Sequence, residues 1–355
     1  MPTRSTLPAL AGEAAAVARP SRVPYADARD QLDALAARLR SATLDVVWRQ
    51  WRAVGASTAG RARLRGLVDP EALVLCSLGL VEAERRLADV IRDWAVENSP
   101  LLSVQRANNL APQYPPDVRA RLAWFAQIAV ADGKDARWRS LASGATRDVG
   151  DGGGRDALTD AVRANKPRTV RATLADPAAL LLRLRLGFGV GAKADVLAFL
   201  LGAEGAAGGT WTSVRALVHA TGYTTAAVRR AADDMAAARL IRVTRGSPTG
   251  YTQYGADRDA WMPVLQLADA PPPWRSWHEQ FAFVLAFLAW ADAARARPLS
   301  AYAFGARGRD LLERHRPAFE RNLITVWSEH TVVENWGSFV AQAIADLAGW
   351  MEDQA

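Results

Sequence analysis

Residues 192–254 carry an order of elements that few folds accommodate: three short stretches with helical apolar spacing, then two strand-like runs joined by a Gly/Pro/Ser-rich tip. In the first stretch, Ala192 to Leu201, the residues Val196, Leu197 and Leu200 fall at i, i+1 and i+4 and make one apolar stripe. The Gly-rich run from Gly202 to Gly209 ends it. Thr212 or Ser213 supplies a capping oxygen for a second helix, in which Val214, Leu217 and Val218 keep i, i+3, i+4 spacing to about Ala220. Thr221, Gly222 and Tyr223 then form a tight corner, where Gly222 takes the positive φ that a side chain would resist. Thr224 caps a third helix.

Along that third helix Val228, Ala231, Ala232 and Met235 recur at i, i+3, i+4 and i+7, so Thr225, Ala226, Arg229 and Arg230 point the other way. Leu240 to Thr244 alternates as a strand, Tyr251 to Tyr254 returns as its partner, and RGSPTG from Arg245 to Gly250 joins them. Through the short Trp211/Thr212 strand, the TSVRALVHATGYT helix and turn, and the RVTRGSPTGYTQY hairpin, this stretch resembles the winged helix-turn-helix superfamily of bacterial transcription regulators. The resemblance covers under a quarter of the chain and implies DNA binding, usually as a dimer on a two-fold site.

On that reading Arg229 and Arg230 sit in the first two turns of a recognition helix, where an arginine donates two hydrogen bonds to a guanine edge. Thr224 and Thr225 place the helix N-terminus on phosphate, and Arg215 on the second helix joins the contact set. Arg242, Arg245, Ser247 and Thr249 supply wing contacts to phosphate or the minor groove. From Ser213 to Tyr251 six arginines stand against two aspartates, Asp233 and Asp234, which place negative charge in the later turns of the third helix. A formal charge of +7 over the chain favours an anionic partner in the same sense.

The flanks read as helical, giving a mainly α protein with a small β-hairpin. Residues 1–23 are expected to be a disordered tail, 24–142 an N-terminal helical domain of four or five helices, and 143–167 a Gly-rich linker. Residues 168–268 hold the winged unit with a preceding basic segment, and 274–355 a C-terminal helical domain. In the N-terminal region Leu32, Leu35, Ala36 and Leu39 share one face. Asp69 and Pro70 start a long helix whose later face carries Leu87, Val90, Ile91 and Trp94. A further helix after Pro115 and Pro116 aligns Leu122, Phe125, Ala126 and Ala129. In the basic segment Arg163, Lys166, Arg168, Arg171, Arg183 and Arg185 outnumber Asp176, as solvated charges or as a track for a DNA backbone. The last helix aligns Val340, Ala343, Ile344, Leu347 and Met351, a stripe facing either the N-terminal bundle or a second subunit.

Reactive side-chain patterns are sparse in the sequence. The single cysteine, Cys76, lies in an apolar helical run, which excludes an internal disulfide and a cysteine zinc site and suits a reducing cytoplasm. The four histidines, His219, His278, His315 and His330, have no metal-ligand spacing. Gly187 to Ala192 matches a loose GxGxxA dinucleotide fingerprint, but Asp176-Pro177 before it reads as a helix start, and Glu204, at the acidic position, falls in a glycine loop. P-loop, nucleophile-elbow and zincin motifs are absent from the sequence. Most of the thirteen tryptophans suit cores, with Trp274, Trp277 and Trp290 clustered as a candidate partner surface or effector pocket. No apolar run reaches the ~20 residues that span a bilayer.

The expectation is therefore a cytoplasmic, non-enzymatic regulator without cofactor or metal, binding double-stranded DNA as a homo-oligomer. The size of the flanks motivates an alternative. They would serve as a protein-interaction scaffold or as the neutralising partner in a bacterial defence or toxin-antitoxin pair, the winged unit then serving autoregulation or structure.

Overall fold

The computed structural model describes residues 25–56, 64–148, 171–204, 211–245, 251–295, 299–327 and 335–354. The protein is mainly helical, with a small three-stranded sheet. Helix α1 (Tyr25–Ala53) buries the Leu32, Ala36, Leu39 stripe and extends it through Val46, Val47 and Trp51. Helices α2 (Pro70–Leu80), α3 (Arg86–Glu97), α4 (Val104–Leu110), α5 (Pro116–Ala131) and α6 (Arg139–Asp148) follow. Asp69 caps α2 as expected, its carboxylate accepting from Ala72 N at 3.2 Å with Pro70 in the first turn.

The single long helix expected from Asp69 onward is instead two, α2 and α3, broken at Val81–Arg85. Val81–Arg85 itself holds no Gly or Pro, and Gly79 before it is the penultimate residue of α2. The chain turns there because Leu87, Ile91 and Trp94 have to face the same core as α2, and Trp94 packs edge-on against Trp51 at 5.2 Å. Among the described residues six α-helices thus stand where the spacing gave four or five, and of the expected Gly-rich linker only the part taken up by α6 is described.

After the central unit come α12 (Trp277–Arg295), α13 (Ala301–Arg314), α14 (Arg316–Glu320) and α15 (Trp336–Gln354). The stripe of α15 packs inside its own chain. Val340, Ala343, Ile344, Leu347 and Met351 are buried, Thr43 on α1 donates to Met351 Sδ at 3.3 Å, and Arg38 pairs with Glu352 at 3.0 Å. Each buried leucine or isoleucine there contributes about 1.5–3 kcal/mol before entropy is counted. The helices on both sides of the central unit therefore share one apolar core, which also takes in Cys76, Trp277 and Phe281.

A second core is separate. It joins α7 (Leu180–Phe188), α8 (Ala192–Gly202), α9 (Val214–Thr221) and α10 (Thr225–Ala237) with Ile241, Tyr254, Leu265 and Trp274. Strand β1 (Thr212–Ser213) pairs antiparallel with β3 (Gln253–Gly255), and β3 pairs with β2 (Arg242–Thr244), giving the order β1-β3-β2. Short α11 (Arg258–Val264) closes the unit, capped by Asp257.

Five fully buried charges join the two cores. Arg185 on α7 forks onto Glu71 at 2.6 and 2.9 Å and onto Asp195 at 3.0 and 2.7 Å. Arg106 on α4 contacts Asp69 at 2.7 Å and Glu71 at 2.8 Å, and donates to the carbonyl of Thr221 at 2.5 Å. Ser103 N and the Leu101 carbonyl complete the set. Arg185 was expected among the outward charges of the basic segment; it is instead 1 % exposed, because α7 turns it inward onto α2 and α8. Burial raises Asp195 above the usual carboxylate range. At Asp69 burial acts the same way, but Arg106 overcomes it and holds the group below that range.

His278 lies beside this network. Burial, then Arg106, push its imidazole down to about 3, so it stays neutral in the fold, whereas an unfolded histidine titrates near about 6.5. The folded state loses stability as pH falls below about 6.5, at about 1.4 kcal/mol per unit, because only the unfolded chain takes up the proton. Urea unfolding at pH 7 and pH 5 should differ by about 2 kcal/mol through His278, and His278→Gln should flatten the slope. Equal stabilities at the two pH values would contradict this. His315, pushed down to about 4 by burial and then Arg314, shares the sign.

Candidate nucleic-acid interface

The third helix of the central unit owes its place to three local contacts. Ser213 Oγ accepts from Ala216 N at 3.3 Å and starts α9; Gly222 turns the corner at φ 72°; Thr224 Oγ1 accepts from Ala227 N at 3.3 Å and starts α10. The corner is also anchored from outside. Besides the Arg106 bond to Thr221, Asn109 Nδ2 donates to the Gly222 carbonyl at 3.1 Å. A Cβ on Gly222 would lie 2.8 Å from Leu110 Cδ2. The turn is thus held against α4.

Val228, Ala231, Ala232 and Met235 are buried, while Thr224, Thr225, Ala226, Arg229 and Arg230 are exposed. Arg229, Arg230 and the exposed Arg245 have no ion pair among the described residues. Arg229 and Arg245 converge electrostatically on Tyr254, whose hydroxyl donates to Asp233 Oδ1 at 2.6 Å. Burial, then that bond, push the phenol up to about 12. Asp234 pairs with Lys193 at 2.9 Å. Asp234 is therefore balanced by a cation, whereas Asp233 keeps its charge beside the neutral Tyr254.

The remaining expected contacts divide. Arg242 lies on β2, exposed, and is paired with Asp257. Ser247 and Thr249 lie outside the described residues. Arg215 stands apart from the α10 row: it lines a cleft with His219, Trp274 and Arg321, and its charge acts on His219 and Arg321.

The GxGxxA tract begins in the last turn of helix α7, so the strand a dinucleotide site requires is not there; Gly189 and Gly191 turn α7 into α8 at φ 83° and 157°. Glu204 pairs with Arg275 at 2.8 Å. Among the described residues no three His, Cys, Asp or Glu side chains are placed to hold a metal ion, and no described helix is long and apolar enough to cross a membrane. Trp277 is fully buried and stacks on Phe281, Trp290 is half-buried and stacks on Phe304, and Trp274 lines a cleft. The buried network was missed from sequence because its acids and arginines are brought together only by folding. No protein-family model, curated protein or solved structure matches the chain.

Proposed function

We propose that the chain binds double-stranded DNA, with α8, α9, α10 and the β2–β3 hairpin acting as a winged helix-turn-helix. One observation carries the reading: Thr224, Thr225, Arg229 and Arg230 form an exposed row over the first turns of α10, with both arginines unpaired among the described residues. Arginine forks read guanine edges, and the helix N-terminus with its threonines takes phosphate. Arg242 and Arg245 act from the hairpin, Arg242 exchanging Asp257 for phosphate on binding. Transcriptional control as a dimer follows, with recognition helices roughly 34 Å apart. Because α15 spends its stripe within the chain, a dimer uses another surface.

The test is fluorescence anisotropy of the full chain on DNA from upstream of its own coding sequence and on scrambled DNA. Four basic contacts predict a roughly hundredfold loss of affinity between about 50 and about 200 mM salt, with preference for the upstream sequence. Equal, salt-indifferent binding to both DNAs refutes the proposal. It would leave the protein-interaction reading, in which the partner is a protein held by the flanking helices.

A further inference from the structure

The cleft that takes Arg215 away from the α10 row lies at the junction of the two cores and has a volume of about 480 Å³. One wall is the N-cap Ser213 and α9, through Arg215, Ala216 and His219; the other is the strap Trp274–Ser276 and the end of α14 with Arg321. That volume is in the range that encloses a small organic ligand. Its floor is aromatic, with Phe199 and Trp274 packed edge to face at 5.5 Å.

The charges are unevenly matched. Glu204 is taken by Arg275, Glu320 by Arg316, and Arg321 by Glu279. Arg215 has no ion pair among the described residues and is exposed. Arg215 and His219 stand one turn apart on the same face of α9, so both address the cleft together with Arg321. Burial, then Arg215, push Arg321 down, and burial, then Arg321 and Arg215, push His219 down and favour its neutral imidazole, so Arg215 is the cation of this face left without a carboxylate partner among the described residues. An unpaired guanidinium with an imidazole donor beside it, next to two aromatic rings, matches a ligand with a charged head and a flat apolar body.

We infer that this cleft binds a small aromatic carboxylate, its head held by Arg215 and by a hydrogen bond from His219 and its ring lying along Trp274 and Phe199. The ligand bridges α9 of the central unit and elements anchored in the larger core. Any effect on DNA rests on the function proposed above; binding itself does not, so calorimetry without DNA tests the site alone.

Salicylate and indole-3-acetate are the probes, titrated into the full chain by isothermal calorimetry, with neutral salicylamide as the uncharged control. At least one carboxylate should bind saturably at one site and salicylamide should not. Arg215→Ala should weaken binding about tenfold or more, the effect of one charge-assisted hydrogen bond. Ala216→Trp, which fills the cleft from an exposed position of α9, should abolish it. Both variants should melt like the parent. Absence of saturable heat with both carboxylates overturns the inference, as does equal binding of salicylamide, or binding unchanged in both variants.

Discussion

Replacing Arg185 with methionine is expected to cost the fold about 3–5 kcal/mol, the range seen when one member of a buried ion pair is removed. Two fully buried carboxylates, Glu71 and Asp195, each lose a two-pronged partner, and the Leu101 carbonyl loses a donor. Methionine fills part of the volume but none of the hydrogen bonds. Three acids would then share Arg106 alone, and burial drives the weakest-held of them to take up a proton. Arg185→Lys should fall between the two, because an ammonium cannot serve both forks. Urea unfolding monitored by tryptophan fluorescence measures both variants. A loss below about 1 kcal/mol for Arg185→Met would mean that the network is not the joint between the cores.

The parts of this architecture written in local chemistry were readable beforehand. Ser213, Gly222 and Thr224 act within their own turns, as capping oxygens and a left-handed corner, so a linear sequence displays them. The Val228, Ala231, Ala232, Met235 stripe fixed which way Arg229 and Arg230 point for the same reason. What depends on distant partners was not readable. Arg185 meets Glu71 across 114 residues, and nothing in LRLRL separates an arginine that finds two carboxylates from one that finds water. The break after Leu80 was not readable either: Val81–Arg85 holds no Gly or Pro, and Gly79 before it is still inside α2, while Trp94 beyond it packs on Trp51. Arg215 shows the intermediate case: its helix was legible, but the surface opposite it comes from residues 274–276 and 321.

Reversing the two arginines of α10, Arg229→Glu with Arg230→Glu, should leave the fold intact and weaken DNA binding by about 2–6 kcal/mol, thirtyfold or more, if each fork contributes about 1–3 kcal/mol. Stability should hold because both side chains are exposed and, among the described residues, unpaired, so no buried partner is stranded. The salt dependence discriminates further. Arginines that meet DNA release counterions, so the slope of log affinity against log salt should be shallower by about 2 in the double variant. Arg239→Glu, which places the same negative charge just beyond the last turn of α10 at a residue with φ 60°, is the control for simple net charge. If affinity tracks net charge alone, Arg239→Glu weakens binding about as much per charge as the pair, and the α10 row is not the reading surface. If the row reads DNA, the double variant also loses its preference for upstream over scrambled sequence while Arg239→Glu keeps it, because only groups at base edges carry sequence information.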